Sequence, residues 1–114
     1  MKVELRGLEL FGYHGVGEAE QRLGQRFLYD VELEVGDRGA DDRIEHAVDY
    51  TLVAAAVREI NARRFALLEA LAGAVADALM ERFSPQSVLV RVRKPGVRPA
   101  GLEVEFSAVT VTRP

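Results

Sequence analysis

The sequence predicts an α+β fold in which an antiparallel four-stranded sheet carries two helices on one face. Two regions near the ends of the chain have apolar residues at every second position, and the middle of the chain has them at helical spacing. The length of 114 residues is enough for one core, so we expect a single domain spanning residues 1–114. The predicted order of elements is strand, strand, helix, helix, strand, strand.

The first two strands are expected to form an antiparallel pair. From Arg26 to Val35, apolar and polar residues alternate with one interruption at Leu28, which is typical of a half-buried strand. The segment Lys2–Phe11 alternates less cleanly, and the glycine-bearing stretch 12–24 is predicted to be the loop that joins the two strands. The polar, acidic segment 36–47 is predicted to be a second loop.

Two helices are predicted between the strand pairs. Apolar residues recur three or four positions apart from Leu52 to Ile60 and again from Phe65 to Phe83. Asp49 or Thr51 can cap the first helix, because short polar side chains accept hydrogen bonds from the free amides of a helix start. The pair Ser84-Pro85 ends the second helix, because proline cannot continue its hydrogen-bond ladder.

The last two strands should form a second pair around a turn at 95–101 that is rich in proline and glycine. Alternation predicts that one set of residues in each strand faces the core: Val88, Val90 and Val92 in the third, and Val104, Phe106 and Ala108 in the fourth. Such a sheet has two edge strands, and a barrel shared between subunits would remove both edges. We therefore expect a symmetric oligomer.

Composition limits the chemistry that the chain can support. There is no cysteine, and His14 and His46 are the only histidines, so disulfides, iron–sulfur clusters and thiolate catalysis are excluded and no metal site is expected. The net charge of −3 argues against a nucleic-acid partner. No apolar stretch approaches the roughly 18 residues of a membrane span, and no leader pattern is visible. We expect no cofactor, no membrane partner and a cytoplasmic location.

Lys94 is the first candidate for a chemical role. Of 15 basic residues only Lys2 and Lys94 are lysines, and the rest are arginines. A lysine side chain can release its proton in a protein whereas a guanidinium cannot, so position 94 is one where proton transfer can matter. A single internal lysine also arises by chance, and this alternative stays open.

Three further residues have both a functional and a structural interpretation. Glu69 is the only ionisable residue in the segment 65–76, where it is either a carboxylate that meets a ligand or an arginine, or a helix-start glutamate favoured by the dipole. His14 lies in a glycine-punctuated loop and could be a base, although single loop histidines are more often structural. Tyr50 could equally be a packed aromatic residue.

Taken together, these motifs resemble the dihydroneopterin aldolase family. The resemblance runs from residue 8 to residue 113 and rests on several motifs: Gly12-Tyr13-His14-Gly15, the stretches 20–27 and 30–33, Val48-Asp49-Tyr50, Leu67-Leu68-Glu69 and Arg93-Lys94-Pro95. It implies the tunnelling fold, whose subunits form rings that commonly stack into homo-octamers, with active sites between neighbouring subunits.

The resemblance also implies a reaction and a role for each site residue. The reaction is the retro-aldol cleavage of 7,8-dihydroneopterin to glycolaldehyde and 6-hydroxymethyl-7,8-dihydropterin in folate synthesis. Glu69 and the backbone at Leu68 would hold the pterin. Tyr50, reaching the substrate from a neighbouring subunit, and Glu20 would each take part in both substrate binding and catalysis. Lys94 would be the general acid/base, working with Glu20 and a water. The ring's own C=N would take up the electrons, so neither a Schiff base nor a metal is implied.

Two alternative functions stay open. A dihydroneopterin triphosphate epimerase would share the fold and motifs, and its substrate would need basic donors, for which Arg98 is the candidate. Epimerase activity can also accompany cleavage in this family. The second alternative is a non-catalytic, ring-forming pterin-binding module, against which the presence of Lys94, Glu20 and Tyr50 argues.

Overall fold

Four strands and three helices make up the fold in the computed structural model, which describes residues 1–114. In chain order they are β1 (Lys2–Gly12), α1 (Glu18–Leu23), β2 (Gln25–Glu34), α2 (Tyr50–Asn61), α3 (Leu68–Phe83), β3 (Ser87–Pro95) and β4 (Phe106–Arg113). The strands form one sheet in the order β1-β2-β3-β4, and every neighbouring pair is antiparallel. The predicted α+β class and antiparallel four-stranded sheet are confirmed.

The core lies between one face of the sheet and helices α2 and α3. Alternate residues of β2 and β3 point toward the helices and are fully or almost fully buried: Phe27, Tyr29, Val31, Leu33, Val88, Val90 and Val92. Helix α2 packs near β1, and α3 packs on β3 and β4. Burying a large apolar side chain contributes roughly 1.5–3 kcal/mol, so this layer supplies most of the stability. None of the helices is both long enough and apolar enough to span a bilayer.

The helix boundaries agree with the predicted capping signals except at the start of α3. Asp49 is the N-cap of α2, and its carboxylate accepts a hydrogen bond of 2.9 Å from the Thr51 amide. Ser84 ends α3 in the left-handed conformation with a φ of 46°. The helix begins at Leu68, however, so the prediction that it includes Phe65 is wrong. Phe65 instead packs on the ring of His14, with the ring centroids 5.7 Å apart.

The stretch 12–24 is not the plain loop that the sequence predicts. It contains α1, a helix of 6 residues with no buried residue, which is too short to show an apolar period. Its start is held by the Glu20 side chain, which accepts a hydrogen bond of 3.1 Å from the Gly17 amide. Two short 3₁₀ turns, Ile44–His46 and Pro99–Gly101, also interrupt predicted loops.

The predicted inward face of the last strand is wrong. Strand β4 begins at Phe106, and Val109 and Val111 lie opposite Val92 and Val90, so these two valines face the core. The residues predicted to face inward do not: Val104 precedes the strand, and Phe106 and Ala108 lie on the other face. Alternation alone cannot distinguish the two faces here because both carry apolar residues.

Asp30 is buried although its place in the alternation of β2 puts it on the face away from the helices. Only 5% of it is exposed. Arg93 of β3 donates a hydrogen bond of 2.9 Å to its Oδ1, and the Gly7 amide, at the irregularity of β1, donates one of 2.8 Å. This one carboxylate therefore joins three neighbouring strands on the open face of the sheet.

Candidate active site

A cavity of about 380 Å³ opens where three parts of the chain meet. These parts are the region of α1 and the loop before it, the start of α3, and the hairpin between β3 and β4. A volume of this size suits a small organic ligand. Four of the five predicted site residues line it: Glu20, Leu68, Glu69 and Lys94.

Lys94 and Glu20 form an ion pair at the wall of this cavity. The Nζ of Lys94 donates a hydrogen bond to Oε2 of Glu20, 74 positions away in the sequence. The Lys94 side chain is 15% exposed and that of Glu20 is 31% exposed, so the pair is partly shielded from water. The bond from Lys94, supported by that from the Gly17 amide, lowers the pKa of Glu20 below its ordinary value. Glu20 is therefore a carboxylate at neutral pH.

The backbone on both sides of the pair is fixed. Lys94 pairs with Ser107 in the β3–β4 ladder, next to the end of the strand. Gly15 has a φ of +140° and lies so close to Glu20 that an added Cβ would be 2.5 Å from the carboxyl carbon. Only glycine permits both this conformation and this approach. The glycine punctuation of the loop thus has a physical cause, which is to let the Glu20 carboxylate reach Lys94.

Glu69 occupies the second position of α3 and is exposed at the mouth of the cavity. It is therefore the helix-start glutamate that the sequence allows as one of two interpretations, and the residue also lines the cavity. The N-cap residue of α3, Leu67, provides no side-chain cap, so amides of the first turn are left without a side-chain partner. An acceptor carboxylate beside free amide donors can bind the edge of a planar heterocycle that offers both donors and an acceptor.

Tyr50 does not belong to the cavity of its own chain. It is the first residue of α2, it is 63% exposed, and it does not line the cavity. Within one chain the structure therefore brings together four of the five predicted residues and leaves Tyr50 apart.

His14 is a buried structural residue rather than an accessible base. It is 0% exposed and does not line the cavity. The Phe65 amide donates to its Nδ1 at 3.3 Å, and its Nε2 lies 3.1 Å from Oδ1 of Asn61. Burial lowers the pKa of His14 below its ordinary value, which keeps the ring neutral. Sequence reasoning missed Asn61; the available signal was a polar residue next to Ile60 on the buried face of α2.

The hairpin after Lys94 forms the remaining wall of the cavity. Val97, Arg98 and Pro99 line it together with Ser107. The Arg98 side chain is 62% exposed, and its guanidinium lies 3.3 Å from the Glu103 carboxylate. No three His, Asp or Glu side chains come together in a way that could hold a metal ion.

Fold and site together define a class: small α+β domains in which a lysine–carboxylate pair and the start of a helix line one cavity. The family model "FolB: Dihydroneopterin aldolase" matches residues 3–112 of the chain. The dihydroneopterin aldolase of Streptococcus pyogenes serotype M1 is 38% identical over 97 residues, which is 82% of each chain. The chain therefore belongs to the dihydroneopterin aldolase family, as its motifs indicate.

Two solved structures have the same fold. The Escherichia coli dihydroneopterin aldolase in complex with neopterin matches with a TM-score of 0.91 and 27% identity, covering 100% of this chain and 99% of that one. The Burkholderia thailendensis dihydroneopterin aldolase bound to guanine matches with a TM-score of 0.81 and 25% identity, covering 99% and 89%.

Proposed function

We propose that this chain is an aldehyde-lyase that cleaves 7,8-dihydroneopterin to glycolaldehyde and 6-hydroxymethyl-7,8-dihydropterin. The observation that carries this proposal is that Glu69 lines the same cavity as Lys94 and Glu20, which form an ion pair. A group that moves protons and a group that fixes an aromatic ring are thus within reach of one small molecule. Membership of the dihydroneopterin aldolase family supports the choice of substrate.

The ring is held by Glu69 and the start of α3. Neopterin and guanine, the ligands of the two structural relatives, share an aminopyrimidinone edge with two N–H donors beside a carbonyl oxygen. The carboxylate of Glu69 accepts the two N–H bonds, and an amide at Leu68 or beside it donates to the carbonyl. Charge-assisted parallel hydrogen bonds of this kind fix orientation as well as add affinity. The side chain of the substrate then extends toward Lys94.

Cleavage breaks the bond between C1′ and C2′ of the substrate side chain. A base removes the proton of the 2′-hydroxyl, and C2′ leaves as the carbonyl carbon of glycolaldehyde. The electrons of the broken bond form a C1′=C6 double bond, and those of the ring's C6=N5 bond move to N5, which takes up a proton. Protonation of C1′ and loss of the N5 proton then restore C6=N5. Lys94 transfers the protons, including the one that finally returns to C1′, and Glu20 holds Lys94 and a water in place. Positioned proton transfer typically contributes about 10²–10⁴ in rate.

A neighbouring subunit completes the site with its Tyr50. Several observations support an assembly of copies: β1 and β4 are open edges, Tyr50 and Leu67 are large exposed apolar residues, and the chain measures 51 × 24 × 21 Å. Pairing between edge strands of neighbouring copies closes a ring and buries these surfaces. We propose a barrel-like ring of the tunnelling fold, stacked into a homo-octamer. The cytoplasmic location stays a prediction from the sequence.

Product analysis tests the proposal. Purified protein is incubated with 7,8-dihydroneopterin without added metal, and glycolaldehyde and the pterin product are quantified. Lys94→Ala should abolish glycolaldehyde release while neopterin still binds, because the ring contacts remain; Lys2→Ala, at an exposed lysine that pairs with Glu32, is the control. Full turnover by Lys94→Ala would refute the mechanism, and a substrate adduct trapped on Lys94 by borohydride would show a Schiff base instead.

Glu69→Ala tests the binding half of the proposal. It should weaken neopterin binding by roughly 100-fold or more, because two hydrogen bonds to a charged group are lost. Glu81→Ala is the matched control, since Glu81 is exposed near the other end of the same helix. Unchanged affinity in Glu69→Ala would show that the ring is held elsewhere.

Epimerisation at C2′ is the second candidate activity, and Arg98 is the observation that favours it. Arg98 lines the cavity on the hairpin side, where a triphosphate on the substrate side chain would find a cation once the guanidinium leaves Glu103. Incubation with dihydroneopterin triphosphate, followed by separation of the two epimers, decides between the activities. Arg98→Ala should reduce turnover of the triphosphate and leave that of 7,8-dihydroneopterin largely unchanged.

A further inference from the structure

A buried polar cluster lies outside the lining of the cavity and takes no part in the proposed reaction. It consists of His14, Tyr29 and Asn61, of which 0%, 0% and 6% are exposed. The Tyr29 hydroxyl donates a hydrogen bond of 2.7 Å to Oδ1 of Asn61, and Nδ2 of Asn61 donates one of 2.8 Å to the Phe11 carbonyl. His14 contacts the same Oδ1 at 3.1 Å.

The hydrogen bonds of this cluster are compatible with only one arrangement of protons. The Phe65 amide occupies Nδ1 of His14, so the ring carries its proton on Nε2 and donates it to Asn61. Asn61 accepts from two donors with its oxygen and donates with its nitrogen, which fixes the orientation of the amide. A buried network in which every member is satisfied is rigid, because each broken bond leaves an unpaired polar group.

The cluster joins the two walls of the cavity that carry Glu20 and Glu69. His14 binds the Phe65 amide, and the next residue, Gly15, donates its own amide to the Phe65 carbonyl at 2.9 Å. Gly15 lies directly against the Glu20 carboxylate, and Glu69, in the first turn of α3, is four residues after Phe65. The spacing between the two carboxylates thus depends on how His14 is held.

Asn61 anchors this connection to the body of the fold. It is the last residue of α2, its neighbour Ile60 is in the core, and it binds the end of β1 through Phe11. The backbone of Gly12 packs tightly against the His14–Asn61 contact: a Cβ added at Gly12 would lie 2.7 Å from His14 and 2.9 Å from Asn61. The contact between His14 and Asn61 therefore has one geometry.

We propose that His14 and Asn61 are positioning residues that set the separation between the Glu20 loop and the start of α3, and so align the Lys94–Glu20 pair with a ring held at Glu69. This inference rests on the proposed function and deepens it. Tyr29 has a different role: it stabilises the cluster from β2 but binds neither of the two walls.

A comparison of three variants tests the inference. His14→Phe removes both bonds of the ring, His14→Asn retains an acceptor for the Phe65 amide, and Tyr29→Phe is the control that removes a bond to the same Asn61 oxygen. A displacement of about 1 Å at a reacting centre costs on the order of 100-fold in rate. We expect kcat per folded site to fall about 10- to 100-fold in His14→Phe and less in His14→Asn, with the Kd for neopterin changed less than about 3-fold. Tyr29→Phe should lower the Tm and keep kcat.

Two results would overturn the inference. The first is a wild-type kcat in folded His14→Phe or, if that variant does not fold, in His14→Asn. The second is a loss of kcat in Tyr29→Phe equal to that in the His14 variant. Amide hydrogen exchange gives a readout that needs no turnover: protection at Gly15 and Phe65 should fall in the His14 variants and persist in Tyr29→Phe. Unchanged protection at both amides also refutes the inference. Failure of the proposed function is recognised separately, because the wild type would then release no glycolaldehyde.

Discussion

Replacing Gly15 by alanine tests whether the loop is built around the Glu20 carboxylate. The new Cβ would lie 2.5 Å from the Glu20 carboxyl carbon, whereas carbon atoms in contact prefer about 3.5–4 Å. The carboxylate must therefore retreat by about 1 Å, which breaks its bond to Lys94. The φ of +140° adds strain of roughly 1–3 kcal/mol. We expect kcat/KM for 7,8-dihydroneopterin to fall on the order of 100-fold.

Gly101→Ala separates the effect of strain from that of the contact. Gly101 also has a positive φ, of +77°, but nothing lies within 4 Å of its added Cβ. Both variants should lose stability, as measured by thermal unfolding, and only Gly15→Ala should lose kcat/KM in steady-state assays corrected for folded protein. If the two variants have equal kcat/KM, the close approach of Gly15 does not position Glu20, and the reasoning is refuted.

Two further predictions concern charged pairs. The pKa of Glu20 is lowered in the folded state, so its contribution to stability is present above its ordinary pKa of 4.5 and is lost as the pH falls through the lower folded value. Denaturant unfolding should therefore give wild type a larger free energy of unfolding than Glu20→Gln at about pH 7, and this difference should shrink below pH 4.5. A difference that stays constant with pH would contradict the prediction. Asp30→Ala should cost about 3 kcal/mol in unfolding free energy, because it leaves Arg93 and the Gly7 amide unpaired in a shielded place. Glu59→Ala, at the exposed pair with Arg82, should cost little, and equal losses would refute the distinction.

Local signals in the sequence predict much of the fold. The alternation of β2 and the helical spacing of α2 and α3 arise because each element buries one face, and this is a property of neighbouring residues. The Asp49 cap is also local, since the bond joins it to Thr51 two positions later. Features of this kind can be read without knowing which elements meet.

The features that were not predicted depend on contacts between distant residues. The sequence favours a structural role for His14 but does not predict its full burial, which arises because Asn61 and Phe65, 47 and 51 positions away, surround it. Asp30 is buried because Arg93, 63 positions away, covers it. The face of β4 follows from its register with β3 rather than from its own alternation.

The family motifs predict the candidate site, whereas the periodicity of apolar residues does not. Four of its five residues meet in one cavity because α1 brings Glu20 to the end of β3, and neither the helix nor this meeting is visible in the local pattern. The resemblance to the family, and not the spacing of apolar residues, predicts that Glu20, Leu68, Glu69 and Lys94 belong to one site. Tyr50 lies outside the cavity of its own chain, so its assignment depends on the proposed assembly.

Lys94 and the other lining residues that follow it lie in different parts of the β3–β4 hairpin, and this separation affects how the substrate preference of such enzymes can change. Lys94 is fixed in the β3–β4 ladder, whereas residues 97–99 reach the cavity from the tip that follows. Exchanging or lengthening the tip can change which substituent the enzyme accepts while the amine keeps its position. New substrate preferences are therefore accessible through a short exposed segment, without any redesign of the core.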